Sequence, residues 1–390
     1  MENKNVSWRN AMNNGTLSLI IPCYNEEGTI ADCIQRVIAL METRNPAGGG
    51  VYGTLSLEII VVDDASTDSS ARIIENLAAR HPVIQLLKHE KNRGKGAAIK
   101  TGLLHASGDF VGIQDADAEY DPKDYLAMLE PLAAGKADVV YGSRYLKPDT
   151  RRVLYFWYTW MNKTLTAFSN MFTNLDITDM ETCYKLFRRE IIQKIAPELK
   201  EERFGFEPEV TAKVAAARCR VYEYAISYNP RSYEEGKKIG WKDGVHALYC
   251  IFHYSAATAP LPMQILLYLF IGGVSMLVNI TSFYALSRLG VPLSAAIGSA
   301  FGIAALCNYL LCIQILFRHK ARWNTAGEIL LYLLSVTVMG CIDYGVTSVL
   351  IHFAWNSLWA KFWAAVVGFA GNFLLRRFLI FPEKRSRNPR

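Results

Sequence analysis

Three groups of polar and acidic residues stand at the ends of β-branched runs. They are Tyr24-Asn25-Glu26 after 17–22 (LSLIIP), Asp63-Asp64 at the end of 57–63 (LEIIVVD), and Asp115-Ala116-Asp117 at the end of 109–115 (DFVGIQD). Carboxylates gathered at one crevice repel unless a cation or a hydrogen-bonding ligand lies between them. Asp115, Asp117 and Glu119 alternate, so an extended backbone projects them from one side, where they could share a hard divalent ion. Two carboxylates completed by phosphate oxygens and water are a common seat for Mg2+ or Mn2+. The plainer alternative is a solvated acidic turn. An EF-hand is excluded, because Tyr120 occupies the position where that loop needs glycine.

Basic groups accompany the acids. Asn92-Arg93-Gly94-Lys95-Gly96 opens a helical pattern, and glycines there let backbone N–H groups approach a phosphate, with Lys95 or Arg93 adding charge. A simple helix-start turn explains the same string. It is not a P-loop, since Ile99 stands where the second glycine should precede Lys100-Thr101, and this argues against an ATPase. Arg144 closes the run 138–142, and Arg231 and Lys237 lie in the polar stretch 229–238. Arginine grips phosphate oxygens through paired donors, although each of these groups also fits a solvated surface. No Ser–His or Cys–His pair suggests a nucleophilic mechanism.

Such residues need a frame. The runs 17–22, 57–63, 83–87, 109–115 and 138–142 predict buried strands, and 27–40, 68–80, 95–105 and 123–132 carry helical spacing between them. This alternation predicts an α/β domain with a mainly parallel sheet, whose ligands bind beyond the carboxyl ends of the strands. Ser66-Thr67-Asp68 supplies a candidate N-cap for the second helix, and Gly48–Gly50 predicts a flexible loop before the second strand.

The bulk properties agree. The 390 residues allow one sizeable α/β domain plus a second unit. The 51% hydrophobic content is concentrated beyond Pro262, and a net charge of +6 fits a rim facing anionic lipid as well as any other partner, giving no reason to expect nucleic acid. The eight cysteines form no C-x-x-C pair, which argues against a zinc site or a disulfide framework. The first sixteen residues lack an apolar core, so no cleavable signal peptide is expected and the N-terminal domain is expected in the cytoplasm.

Taken in order along about 17–254, the strings IIPCYNEEGTI, IVVDDASTDSS, NRGKGAAIKTG, GDFVGIQDADAEYDP, VVYGSRYL, TDMETCYKLFRREI, FGFEPEVTAKV and YNPRSYEEGKKIGWKDG resemble the dolichol-phosphate mannose synthase branch of the inverting, GT-A-fold glycosyltransferase family 2. That resemblance implies a Rossmann-like GT-A domain that moves mannose or glucose from GDP-mannose or UDP-glucose to a dolichyl or undecaprenyl phosphate. It implies that Pro22, Tyr24, Glu26, Val62 and Asp64 line the nucleotide pocket and that Asp115 and Ala116 also touch the nucleotide. Asp117 with Glu119 would hold Mg2+ or Mn2+ on the diphosphate, and Arg144, Arg231 and Lys237 would contact donor and acceptor phosphates. Asp115, Asp117 and Arg144 are the implied catalytic set. Relatives often carry Gln where Glu119 stands, which alters the charge balance at the metal. Arg152, at the head of the aromatic stretch RRVLYFWYTWMNKTL, is assigned to the lipid phosphate, and Glu181 and Lys185 fall in a family-like stretch near the acceptor.

Four apolar runs follow, at about 263–286, 293–317, 329–353 and 359–380, each long enough to cross a ~30 Å hydrocarbon core. Arg318-His319-Lys320 with Arg322, Arg376-Arg377 and Lys384-Arg385 lie at one side of these runs, so the positive-inside rule places both termini in the cytoplasm. The echo of Cys307-Asn308-Tyr309-Leu310-Leu311 in Gly371-Asn372-Phe373-Leu374-Leu375 resembles the GtrA-like four-helix membrane module, and Asn308 and Asn372 are candidates for hydrogen bonds between helices. The stretch 240–254 (GWKDGVHALYCIFHY) reads as an interfacial helix. The expected division is a flexible segment 1–16, a catalytic domain 17–239, an interfacial linker 240–262, an all-α transmembrane domain 263–383 and a basic tail 384–390. A processive polysaccharide synthase is a competing reading, but the nearest string to its Q-x-x-R-W element, His319-Lys320-Ala321-Arg322-Trp323, begins with histidine. A non-catalytic lipid-sugar translocase is another, and the intact acidic set argues against it.

Overall fold

Runs of Leu, Ile and Val that are apolar on both faces become strands buried on both faces. A computed structural model describes residues 15–42, 55–117, 119–146, 152–230, 241–317, 325–355, 357–375 and 377–378. The chain divides into two compact units, Met1–Thr258 and Ala259–Arg390.

In the first unit β1 (Thr16–Cys23), β2 (Ser56–Asp63), β3 (Ile84–Lys88), β4 (Phe110–Ile113) and β5 (Val139–Ser143) form where the sequence predicts them. Helices α1 (Ile30–Ile38), α2 (Ser70–Arg80), α3 (Lys95–His105) and α4 (Asp124–Ala133) connect them. Beyond these come α5 (Phe156–Thr173), β6 (Lys185–Arg188), α6 (Arg189–Ile195), α7 (Phe206–Ala216), β7 (Val221–Ala225) and α8 (Trp241–Ser255). The seven strands make one sheet in the order β3-β2-β1-β4-β6-β5-β7. All pairings are parallel except those of β6, which runs antiparallel to both β4 and β5. This is the mixed α/β architecture of a GT-A domain.

The antiparallel β6 has a direct consequence for the site. Its first residue, Lys185, stands at the edge where the parallel strands end, so the chain just before it, 179–184, is delivered to the ligand-binding edge. Lys185 is fully buried and donates to the carbonyls of Met180 (3.0 Å) and Thr182, which fixes that turn from below. Burial lowers the Lys185 pKa.

The second helix begins two residues later than its expected cap. The N-cap position is Ser69, which makes no side-chain cap; Asp68 Oδ1 accepts the Ser70 N–H at the helix start (2.9 Å), and Ser66-Thr67-Asp68 also face the loop after β1. Asn25 N–H donates to Ser66 Oγ (3.0 Å), Thr67 N–H to Asn25 Oδ1 (2.8 Å), Glu27 N–H to Asp68 Oδ2 (3.1 Å) and Ser69 N–H to Glu27 Oε2 (2.9 Å).

The second unit is helical: α9 (Leu261–Arg288), α10 (Leu293–Leu311) with a π-type turn at Cys312–Phe317, α11 (Thr325–His352) and α12 (Ser357–Leu375). Among the described residues two segments, Leu261–Arg288 and Gly298–Leu316, are long and apolar enough to cross a membrane. Asn308 Nδ2 donates to Ser275 Oγ across α9 and α10 (3.0 Å), whereas the enclosed Asn372 Oδ1 has no partner among the described residues. The basic residues 318–322 and Arg376, and the tail 384–390, lie outside the described residues, as do the segment 1–14 and Gly48–Gly50.

Candidate active site

A cavity of about 740 Å³ opens at the carboxyl ends of the parallel strands. Pro22, Tyr24 and Glu26 line it from the end of β1, Asp64 from β2, Asp115, Ala116, Asp117 and Glu119 from β4, and Arg144 from β5. Val62 is fully buried inside β2 and is not among the described lining residues. Arg152 is exposed and also outside the lining, its guanidinium donating to Asn229 Oδ1 (2.8 Å) and the Pro230 carbonyl (3.2 Å). Arg231 and Lys237 lie outside the described residues.

On the β2 side the backbone is held under tension. Asn25 and Ala65 both adopt left-handed conformations (φ 53° and 59°), which cost non-glycine residues free energy and recur where a site fixes its geometry. Asp64 is buried and its carboxylate is fully engaged. It pairs with His89 Nδ1 (2.6 Å) and accepts from Arg93 N–H (2.9 Å) and Gly94 N–H (2.7 Å). Asp64 therefore shapes the 92–95 turn through which α3 begins.

The glycines of that turn have a packing role. Gly94 has φ +101°, and a Cβ there would lie 2.5 Å from the Glu202 carbonyl oxygen; a Cβ on Gly96 would meet the carbonyls of Glu201 and Arg203. Ala97 N–H donates to that Glu202 carbonyl (2.9 Å). The glycines thus admit the backbone of 201–203, while Asn92, Gly94 and Lys95 line the cavity. Gly94→Ala is expected to destabilise the protein by about 1–3 kcal/mol, from combined φ strain and backbone clash. A thermal midpoint equal to that of the wild type would contradict this.

Lys95 is the cation of the floor. Its Nζ lies 2.9 Å from Asp115 Oδ1 and 3.7 Å from Glu207 Oε1, the latter in the first turn of α7. Burial pulls its pKa down, but Asp115 and then Glu207 outweigh burial and hold the ammonium well above its ordinary value. After β4 the chain does not stay extended as the alternation of acids suggested: residues 116–117 form a turn, and Glu119 N–H donates to Asp117 Oδ1 (3.2 Å). An aromatic column supports this turn. Tyr120 stacks on Tyr184 (4.7 Å between centroids), Tyr184 stacks on Tyr125 (4.4 Å), and Tyr184 Oη donates to Gln114 Oε1 (2.6 Å).

Asp117 and Glu119 line the cavity with hard carboxylate oxygens, a donor set that suits Mg2+ or Mn2+. They do not make a closed ligand cage by themselves. Among the described residues the only His, Cys and acidic trio with all its ligand atoms within 4.8 Å is Glu201, His246 and Cys250. Glu201 there accepts from Tyr254 Oη (2.8 Å) and pairs with His246 Nε2 (2.8 Å), which clasps α8 to the 201–205 segment.

At the β5 end Arg144 is 7% exposed. Its Nε and Nη2 donate to the two oxygens of Asp179 (2.7 and 2.8 Å), and Nη1 donates to Tyr158 Oη (3.3 Å). Sequence reasoning named Arg144 and missed Asp179, although the string TDMETCYK contains it. The remaining wall comes from Tyr158, Met161, Asn162 and Leu165 of α5 and from Trp241 and Ala247 of α8. Another strip of α5 is exposed and aromatic: Phe156, Trp157 and Trp160 are 68%, 73% and 50% exposed.

Residues 18–196 match the model of glycosyl transferase family 2, and residues 267–381 match that of the GtrA/DPMS transmembrane domain. A dolichyl-phosphate beta-glucosyltransferase of Trichomonas vaginalis is 29% identical over 223 residues, covering 54% of this chain and 63% of that protein. The dolichyl-phosphate beta-glucosyltransferase of Dictyostelium discoideum is 28% identical, covering 56% and 68%. The low-salt glycan biosynthesis hexosyltransferase Agl6 of Haloferax volcanii is 29% identical, covering 58% and 52%. The chain thus spans between about half and two thirds of the length of these relatives. Among solved structures, glucosyl-3-phosphoglycerate synthase from Mycobacterium tuberculosis with Mn2+, UDP-glucose and phosphoglyceric acid is 18% identical, covering 65% of this chain and 83% of that one, with a TM-score of 0.47.

Proposed function

We propose that this chain, which belongs to glycosyl transferase family 2 and carries a GtrA/DPMS transmembrane domain, transfers a hexose from a nucleoside-diphosphate sugar to a polyprenyl phosphate. The observation that carries the reading is the single cavity wall that runs from the strand-end acids to α5, a helix with an exposed aromatic strip. Tryptophan and tyrosine favour the headgroup level of a bilayer, so an acceptor held by that helix is best supplied as a lipid. The names of the relatives, dolichyl-phosphate beta-glucosyltransferases among them, support the same acceptor class.

The donor nucleotide is assigned to the end of the sheet carrying Pro22, Tyr24, Glu26 and Asp64, with Asp115 and Ala116 alongside. Asp117 and Glu119 would hold Mg2+ or Mn2+, which when bound stabilises the negative charge that builds on the departing diphosphate. Lys95 and Arg144 supply fixed positive charge on either side of the reacting centre, and their ion pairs keep them charged and oriented. The acceptor is a phosphate monoester whose second pKa is about 6, so it arrives largely dianionic and needs no strong base. A single displacement on the anomeric carbon inverts it. Arg231 and Lys237 remain proposed contacts to phosphate. The catalytic domain and both termini are proposed to face the cytoplasm, with four spans between 263 and 383.

The test is a donor screen with purified full-length protein in detergent, with Mg2+ or Mn2+ and a short polyprenyl phosphate. Labelled sugar is expected to enter the organic phase from UDP-glucose or GDP-mannose and to be lost on chelation. Nucleotide binding without any lipid-phase label from either donor would overturn the acceptor assignment.

A further inference from the structure

The strand order assigns places along the cavity. Donor-side residues end β2 and β1, while Arg144 ends β5 on the far side. Between them lie β4 and the reversed β6, and at that midpoint the turn 179–184 presents Glu181 and Cys183. If the nucleotide takes one end and the acceptor phosphate the other, the transferred sugar sits at this midpoint.

Glu181 has no other assigned work. It lines the cavity, yet its Oε1 is enclosed and has no hydrogen-bond partner among the described residues. Such an atom costs free energy unless a ligand or a rearrangement satisfies it. The charged groups that act on it are Glu207, Lys185, Arg144 and Asp179, and of these Glu207 already faces Lys95 and Arg144 is held by Asp179. With those charges engaged elsewhere, what Glu181 offers a ligand is an unsatisfied carboxyl, which a group rich in hydroxyls can meet. Burial, and next the Glu207 carboxylate, push the Glu181 carboxyl up to about 8. That shift, opposed by Lys185 and Arg144, is toward the protonated form, in which the carboxyl can donate as well as accept.

We propose that Glu181, with Glu207 beside it, reads the hydroxyl groups of the donor's hexose and so sets which sugar nucleotide is used. This rests on the hexosyltransferase reading, and its test is kept separate from lipid transfer. UDP-glucose, GDP-mannose and their monodeoxy analogues are made to displace labelled UDP or GDP from the full-length protein, with transfer to lipid followed in parallel. In the wild type one monodeoxy analogue is expected to bind about 10–100-fold more weakly than its parent, the cost of leaving a buried polar group unpaired. Glu181→Ala should weaken the parent by a similar factor, lose the distinction between parent and analogue, and leave UDP or GDP itself bound as before. Glu181→Gln should restore part of the discrimination. Unchanged discrimination in Glu181→Ala, or an equal loss of affinity for the nucleoside diphosphate alone, would overturn the assignment. A wild type that discriminates among the analogues but never labels lipid would sink the acceptor reading and leave Glu181 standing. Binding of neither donor by the wild type would sink both.

Discussion

An Asp179→Ala variant is expected to lose about 3–5 kcal/mol of folding stability, the effect of stranding one partner of a buried ion pair. The Arg144 and Asp179 side chains are 4% and 0% exposed, so water cannot replace the lost carboxylate. Asp179 also accepts the Arg144 backbone N–H (3.0 Å), and its removal orphans that donor too. What remains around the guanidinium is the Tyr158 hydroxyl and the rings of Tyr145 and Tyr228 at 5.8 and 5.3 Å, which attract a cation weakly by comparison. Asp179→Asn keeps the shape of the fork and should fall between the variant and the wild type. Thermal unfolding of the full chain in detergent, followed by near-ultraviolet circular dichroism, reads the difference. A loss below about 1 kcal/mol would show that Arg144 relaxes to solvent and that the pair is no anchor.

Asp117→Asn acts on turnover instead. Its transfer rate is expected to fall by about 10²–10³-fold, the range for removal of one group that stabilises developing charge. Asp117 is partly exposed, sits in a turn and accepts the Glu119 N–H through a long hydrogen bond, and Asp117→Asn keeps the size of the side chain, so the fold should survive. The signature is a split in nucleotide affinity. With Mg2+ or Mn2+ the variant should bind the nucleoside diphosphate more weakly than wild type, and with chelator the two should bind alike. Full metal-dependent turnover in Asp117→Asn would remove the carboxylate from the site.

The sequence made the first half of the sheet legible because β1, β2, β4 and β5 are buried on both faces and show it as unbroken apolar runs. The acids at their ends followed from topology, since such sheets bind ligands at that edge. β6 was not legible: KLFR is four residues long, and its antiparallel place between β4 and β5 depends on partners more than forty residues away. For the same reason Asp179 was missed, because nothing local says that it closes on Arg144. Gly94 and Gly96 were noticed for the freedom they give the backbone, but sequence offers no means to tell a phosphate from the 201–203 chain that fills the space. The membrane-length helices needed only hydropathy, and Asn308 found Ser275 because a half-buried amide in an apolar helix has few other partners.

The reversed sixth strand also imposes a timetable on synthesis. β3, β2, β1 and β4 are neighbours and are complete by Ile113, so they can assemble as the chain leaves the ribosome. β5 follows at Val139–Ser143 but has no place beside β4, because β6 must lie between them. It waits until Lys185–Arg188 emerges, and the outermost strand waits until Val221–Ala225. The half of the sheet carrying Pro22, Tyr24 and Asp64 is thus built from nearby segments, whereas the half carrying Arg144 forms by a late, long-range insertion. Slow translation or chaperone delay between residues 143 and 188 leaves β5 as an unpaired apolar edge, and that interval is where this chain is most exposed to aggregation.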